Sequence, residues 1–535
     1  MMKHNTKGQS HSVTKKSNNM KHSITLTLTA ALLLSPLAAL HAAEAGNSAA
    51  ATPQKPNVVI LFLDDVSAQD FGCYGVRDPK IANTPTIDRL ANEGGMFTQC
   101  WATPLCSPSR AMMMTGRLAP KNLWWENGIK PKGNEEGACF AIKNLVANKI
   151  FHDNGYASAF LGKWQLGGVL SDPAYGIDYG LTSGWGEGKD PYPHNVWPEI
   201  SPMPNQKSWE FYPAMFEWNS ETGKKGYLPT KETDYAADIE MESIKRFIKK
   251  QVQSNRPFFV YWATHVGHEA WDFNRKETGG WTHTSLPLKD QDGKQLYNED
   301  GSPKLSSPTY KAHVEYSDYM MREIRKFLDQ EKLADNTIVV FAADNGAKYF
   351  GKGSVIQQRG THVPLIIRAP GIKPLNKPAK ALVSLADVTP TLVDLAGLKL
   401  PEGYTFDGTS LKPILTGVKE SVRDIAISYL NFFNMARDDR YILDGWGTLW
   451  DTHYSLVSDN FTDVSNNPEL NPVKEKLKAY ADKCLPRPSD SEPFWKRALE
   501  KKEMIFKRMK KHDQDLLQGK FLKNYDNPDQ GNSEE

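Results

Sequence analysis

Apolar residues along the chain gather into four short runs of one type, continuous and rich in β-branched and aromatic side chains. NVVILFL (57–63) runs into Asp64-Asp65, PFFVYWATH (257–265) ends in a histidine, NTIVVFAADNG (336–346) carries Asp344-Asn345 near its end, and VPLIIRAP (363–370) follows soon after. A run with no polar alternation predicts a strand buried on both faces, as in a parallel sheet. Between the runs, TIDRLANEG (86–94), AADIEMESIKRFIKKQ (236–251) and YKAHVEYSDYMMREIRKFLDQEKL (310–333) predict helices. Strands alternating with helices predict an α/β fold, a large, mostly parallel sheet flanked by helices. Ligands of such sheets bind beyond the carboxyl ends of the strands. The acidic pair, the histidine and the Asp-Asn pair all fall there.

Past about residue 424 the texture changes. DIAISYL, RYILDGWGTLWD and HYSLVS predict short strands of a smaller antiparallel sheet, and PFWKRALEKKEMIFKRMKKHDQDLL (493–517) predicts a basic amphipathic helix, read as a solvated surface helix packed on that sheet. Residues 272–308 are polar and rich in Gly and Pro, an insertion expected near the site. The expected organisation is a signal peptide (1–43), a flexible leader (44–56), a catalytic domain (57–423) and a C-terminal subdomain with a helical tail (424–535).

The first segment changes the charge balance. Lys21 precedes the apolar run Ser23 to Leu40, and LHAAEA offers cleavage after Ala42, Ala43 or Ala45, with Met20 an alternative start. A membrane anchor is the other reading. Ser23, Thr25, Thr27, Thr29, Ser35 and Pro36 weaken it, so a periplasmic or secreted protein is expected. Cleavage removes five lysines and no acid, taking the formal net charge from +2 to −3. A near-neutral chain argues against nucleic acid as partner. The five cysteines, Cys73, Cys100, Cys106, Cys139 and Cys484, are too few for a disulfide scaffold and lack zinc-ribbon spacing. Their odd number flags a thiol with another fate.

Asp64, Asp65, Asp344 and Asn345 together form a hard, oxygen-only set suited to a divalent cation. Each pair also has an ordinary reading, Asp-Asp as a helix cap and Asp-Asn-Gly as a tight turn. The segment TPLCSPSRAMMMTG shifts the balance. Its Cys106-Ser107-Pro108-Ser109-Arg110, with Thr115-Gly116 following, resembles the signature of the type I sulfatase family of the alkaline phosphatase-like superfamily. LDDVSAQDFGCYG upstream, AADNG downstream, ADVTPTLVDLAGL (386–398) and FDGTSLKPILTG (406–417) extend the resemblance over most of 57–460.

The resemblance implies hydrolysis of sulfate monoesters, with sulfated carbohydrates the expected substrates of an exported member. It implies that a maturation enzyme oxidises Cys106 to formylglycine, and that the metal, held by Asp64, Asp65, Asp344, Asn345 and the modified residue 106, is Ca²⁺ in preference to Mg²⁺. An aldehyde hydrate carries two hydroxyls. One takes the sulfuryl group, and deprotonation of the other collapses the adduct and expels sulfate. Arg110 resembles the arginine that holds these groups in place. Lys163, in GKWQLGG, and Lys352, in YFGKGSVIQQRGTHVP, resemble lysines that bind the sulfate. His268 resembles the histidine that protonates the leaving alcohol, whereas His265 reads as structural.

Two departures stand out. Gln165 replaces the family's histidine in GKWQLGG, and a glutamine amide exchanges no proton at neutral pH. Either another base, such as a nearby histidine, then serves sulfate release, or turnover is slow. Gln357, Gln358 and Arg359 replace the family's Glu-Gly-Gly, which puts the backbone near Lys352 in doubt. Trp124, Trp125, Trp185, Trp197, Trp209 and Trp218 are candidates for stacking on sugar rings, with core packing the ordinary alternative. Two other readings remain open: a phosphonate or phosphate ester hydrolase on the same scaffold, and a non-catalytic glycan-binding protein.

Overall fold

The computed structural model describes residues 55–75, 82–127, 144–166, 170–184, 210, 213–231, 233–271, 281–490 and 493–520. The export segment, Cys139, Trp185, Trp197 and Trp209 lie outside the described residues.

Seven consecutive apolar-run residues cannot face water on either side, and β1 (Asn57–Leu63) is buried along its whole length. It lies inside a ten-stranded sheet with β2 (Gly95–Trp101), β3 (Ala157–Gly162), β4 (Tyr179–Gly184), β5 (Ala214–Asn219), β6 (Lys224–Tyr227), β7 (Phe258–Ala263), β10 (Thr337–Ala343), β11 (His362–Arg368) and β12 (Ala379–Ser384). Between β7 and β10, β8 (Ala270–Trp271) and β9 (Trp281–Thr282) form a separate two-stranded ribbon. The order across the large sheet is β12-β2-β11-β10-β1-β7-β3-β4-β5-β6. From β10 to β4 all neighbours are parallel. VPLIIRAP supplies β11 and is as buried as expected, but it runs antiparallel to β10 and β2. Unbroken apolarity reports burial on both faces and carries no direction.

Helices Pro85–Glu93, Ala236–Gln253 and Tyr310–Gln330 form where the 3.6-residue spacing places them. After residue 424, β13 (Ala426–Leu430), β14 (Phe433–Arg437), β15 (Tyr441–Leu443), β16 (Leu449–Asp451) and β17 (Thr462–Asp463) make a five-stranded antiparallel sheet in chain order. HYSLVS forms no strand. His453 and Tyr454 take φ of 49° and 60°, the left-handed region, and the chain turns there. FNMAR (433–437), with no β-branched residue, is the strand in its place. The small sheet does not stand apart, because Leu430, Phe433 and Met435 pack in one cluster with Trp101, Val355 and Leu382 of the larger unit and with Ile505 and Met509 of the helix Lys502–Leu517. Among the described residues no helix is long and apolar enough to cross a membrane.

Candidate active site

Four adjacent parallel strands, β10, β1, β7 and β3, end level with one another. Leu63 pairs with Ala343, Phe62 with Ala263, and Gly162 with Ala263. The next residues of each chain are Asp344, Asp64, the segment Thr264–His268 and Lys163. Sheet register thus converts four distant sequence positions into one cluster. Gly267 permits the closeness: its φ is 109°, and a Cβ there would lie 2.2 Å from the Asp64 carbonyl oxygen.

The helix Cys106–Thr115 points its N-terminus at the same place. All ten of its residues are buried, and Cys106 opens its first turn, where backbone amides favour negative charge. The signature residues each have a task. Ser109 Oγ accepts from Thr103 N at 3.0 Å and fixes the incoming loop. Arg110 extends into the acidic cluster, its Nε and Nη2 donating to Asp344 Oδ2 at 3.0 and 2.7 Å and its Nη1 to the Lys163 carbonyl oxygen at 2.8 Å. Thr389 Oγ1 donates to Met113 O at 2.6 Å, so the segment 386–398 supports this helix.

The remaining groups close around the carboxylates. Lys163 Nζ donates to Asp64 Oδ2 at 2.5 Å, and Lys352 Nζ to Asp65 Oδ2 at 2.6 Å. His268 Nε2 lies 3.5 Å from Asp65 Oδ2, while its Nδ1 faces the Glu269 carbonyl oxygen at 2.6 Å and so carries the proton. Asn345 Nδ2 donates to Asp65 Oδ1 at 2.9 Å. Asp65 holds a φ of 58°, a local strain at the centre of the site. Burial would raise the Asp64 pKa, but Lys163, His268, Arg110 and Lys352 together hold it well below the usual range. Burial and then Asp64 push Asp344 upward against the pull of Arg110. Burial opposes the Lys352 charge, yet Asp65 more than offsets this and raises its pKa.

Asp64 Oδ1 and Asn345 Oδ1 are buried and accept no hydrogen bond. Ligand atoms of Asp64, Asp344 and Cys106 lie within 4.8 Å of one another. Orphaned oxygen acceptors within a set of carboxylate and amide donors fit a hard divalent ion.

The Sulfatase family model matches residues 56–398. The chain belongs to the sulfatase family. Curated relatives include the N-acetylgalactosamine-6-sulfatase of Canis lupus familiaris, 28% identical over 408 residues that cover 71% of this sulfatase and 70% of that protein. The N-acetylglucosamine-6-O-sulfatase of Bacteroides thetaiotaomicron is 24% identical over 463 residues, covering 72% and 75%. Among solved structures, Ps i-CgsB in complex with k-i-k-neocarrahexaose superposes with a TM-score of 0.57 at 25% identity, covering 80% of this chain and 93% of that one. These relatives are sulfuric ester hydrolases by name or neighbours in fold.

In this sulfatase the two departures have different weights. Gln358 is buried, receives Arg437 Nη1 at 2.7 Å and donates to Leu456 O at 2.7 Å, tying the loop to the small sheet, while Arg359 pairs with Asp459. Lys352 reaches Asp65 all the same. Gln165 takes a φ of 57°, and its Oε1 is buried without a hydrogen-bond partner. His265 is buried beside the cluster, where burial and then Lys163 push its pKa well down. For the described tryptophans the ordinary alternative, core packing, holds. Trp124 and Trp125 are buried, Trp125 against Tyr429 and Trp495, and Trp218 packs on the core from β5.

The sequence reading missed Asn127 and Glu269. Asn127 Nδ2 approaches Cys106 Sγ at 3.5 Å, and its Oδ1 accepts from Ser107 N at 3.1 Å. Glu269 receives Lys348 Nζ at 2.6 Å and the Tyr349 hydroxyl, clamping the segment that carries His268 to the segment that carries Lys352. Burial would raise the Glu269 pKa, but Lys348, His283 and these hydrogen bonds lower it from 4.5 to about 2. A depressed carboxylate stabilises the fold above its unfolded pKa and loses that contribution as pH falls through the folded one. The stability difference between wild type and Glu269→Gln is therefore largest above pH 4.5 and shrinks as pH falls towards about 2. Thermal melts across that range check it; a gap independent of pH would contradict the ionised clamp.

Proposed function

We propose that this sulfatase is exported and hydrolyses sulfate monoesters of sulfated carbohydrates, with Cys106 matured to formylglycine and calcium held by Asp64, Asp65, Asp344 and Asn345. The observation that carries the reading is the seat of Cys106 at a helix N-terminus, its sulfur among the Asp64 and Asp344 oxygens. The carbohydrate class follows from relatives named for N-acetylgalactosamine and N-acetylglucosamine sulfates.

When bound, calcium would draw charge from the sulfate oxygens and favour the ionised nucleophile. The side chains supply the rest. Arg110 keeps Asp344 and Asp64 in place. Lys163 and Lys352 stand on two sides of the carboxylates, where they neutralise charge that moves onto the sulfate and the departing oxygen. His268 keeps Nδ1–H on the Glu269 carbonyl and turns Nε2 to the site; a proton taken up at Nε2 would be the one handed to the leaving alcohol. Asn127 orients residue 106.

The test combines mass and turnover. In protein from its native host, the peptide holding residue 106 should weigh about 18 Da less than the cysteine form. The same protein should release sulfate from a panel of sulfated mono- and oligosaccharides. An unmodified thiol with no sulfate release would favour the glycan-binding reading. Gln165→His should keep activity and speed sulfate release, read as a higher kcat. A large loss would assign the amide to substrate selection.

A further inference from the structure

The end of the large sheet away from the site carries unbalanced positive charge. Arg368, the last residue of β11, lies level with Val339 near the start of β10, whereas Asp344 follows the end of β10. Five residues of strand, about 17 Å, separate the two levels. At the Arg368 level the helices Pro85–Glu93 and Tyr310–Gln330 both terminate, and with Ala334 and Arg368 they border a cavity of about 810 Å³. That is room for a sugar unit with its substituents.

Six cations line the cavity: Arg89, Arg322, Arg325, Lys326, Lys332 and Arg368. Arg322, Arg325 and Lys326 share one helix face by their spacing of three and four residues. The acids among the lining residues are Glu93, Asp329 and Asp335. Glu93 serves three arginines at once. Its Oε2 accepts from Arg325 Nη2 and lies 4.0 Å from Arg368 Nε, and its Oε1 lies 3.8 Å from Arg89 Nε. One carboxylate cannot neutralise three guanidiniums. Asp335 stands 3.6 Å from Arg368 Nη2, but it is fully exposed and water screens it. The two helix carboxyl ends add about one negative charge between them, and the balance remains positive. Arg325 is only 16% exposed, and its Nη1 is buried with no acceptor among the described residues. No aromatic side chain lines the cavity among the described residues, so recognition there falls on charge and hydrogen bonds, with no stacking on a sugar ring.

We propose that this cavity is an accessory site for the sulfate groups of a glycan, which holds a sulfated chain without cleaving it. That the anions are sulfate esters rests on the function proposed above; the surplus of cations does not. The lining offers no cysteine, serine, threonine or histidine to attack or protonate a bound ester, so the site binds only. Each guanidinium presents a planar fork that matches two sulfate oxygens, and Lys326 and Lys332 add point charges. A glycan with several sulfates engages several of these groups together, which a single free sulfate cannot do. The formal charge of the chain is close to zero, so a local cluster of this kind decides where a polyanion gathers.

The experiment titrates sucrose octasulfate, and separately sodium sulfate, into the full-length enzyme by calorimetry, with turnover of 4-nitrophenyl sulfate measured beside it. Octasulfate should bind wild type, and Arg325→Gln should weaken one site about tenfold, the loss of one charge-assisted contact. Arg89→Gln should weaken the same site about threefold, and its side chain is 61% exposed, so this variant keeps the fold even if Arg325→Gln lowers the melting temperature. Neither variant should move kcat or KM for 4-nitrophenyl sulfate. Octasulfate affinity unchanged in both variants, or absent in wild type, would overturn the site. Sodium sulfate binding as tightly as octasulfate, with the same loss in the variants, would make it a site for the free anion and overturn the glycan assignment. A shift of KM in step with octasulfate affinity would return the effect to the catalytic centre. Failure of the sulfatase reading looks different, as matured protein that cleaves no sulfate ester, and the calorimetric comparison still reads the cavity because it needs no turnover.

Discussion

Cys106→Ala should abolish sulfate-ester turnover and leave the fold standing. The side chain removed is one sulfur atom, in contact with Asn127 at 3.5 Å and near the Asp64 and Asp344 oxygens. The packing of its helix comes chiefly from Ala111 and Met112 to Met114, which are fully buried. The change in melting temperature should therefore stay within a few degrees, equivalent to about 1 kcal/mol. Activity is another matter, because no neighbouring hydroxyl can replace a matured residue 106. Ser107 is buried with its Oγ unpartnered, and Ser109 is committed to Thr103. Loss of a nucleophile of this kind removes on the order of 10⁵-fold or more of the rate. Sulfate release measured beside a thermal melt checks both halves. Retained turnover would remove Cys106 from the reaction, and collapse of the fold would show that its role is packing.

Much of this site is readable from the chain because its parts are local. Asp64 and Asp344 each follow a buried strand without a gap, so recognising the strand places the residue. Lys163 follows β3, which none of the four apolar runs announces, and is placed by its likeness to the family segment. The Cys106 signature is five consecutive residues whose side chains serve one corner. The unreadable parts share a different property. Asn127, Glu269 and His512 act through contacts made only after distant loops meet, and nothing in their neighbours' polarity announces it. The helix Cys106–Thr115 is buried on every side, which erases the periodicity that reveals helices elsewhere. The direction of β11 is hidden for the same reason, since apolarity on both faces looks alike in either orientation. The basic segment 493–517 predicts one helix packed on the small sheet with its lysines in solvent; it forms two, Pro493–Glu500 and Lys502–Leu517, and the lysines of the second are exposed. The opposite face anchors to Lys352 through His512 and to Trp446 through Asp513. Only one polar residue on each of those contacts breaks the surface pattern.

The acidic cluster itself depends on Arg110, and its removal should cost more stability than any other single change at the site. Its guanidinium is fully buried, ion-paired to Asp344 at 2.7 Å and to Asp64 at 3.5 Å, with its third edge on the Lys163 carbonyl. Burial disfavours its charge, yet Asp344 and then Asp64 raise its pKa above that of a free arginine. In Arg110→Met the stem still packs near Phe62, whose ring centre lies 5.5 Å from the guanidinium carbon, but two buried carboxylates lose their shared partner. Breaking a buried pair in this way costs about 3–5 kcal/mol, because the remaining charge is neither solvated nor paired. Adding Asp344→Asn removes the stranded charge, so the double variant should recover part of the loss, and the two effects should fall short of additivity. Arg110→Lys keeps the charge but not the fork, and cannot serve Asp344 and the Lys163 carbonyl together, so it should fall between wild type and Arg110→Met. Urea unfolding in the presence of EGTA measures these variants, the Asp344→Asn single variant and wild type, five proteins in all, without a bound ion to mask the difference. A cost below about 1 kcal/mol for Arg110→Met would mean that Asp344 is already neutral and that the cluster is held by something other than this arginine.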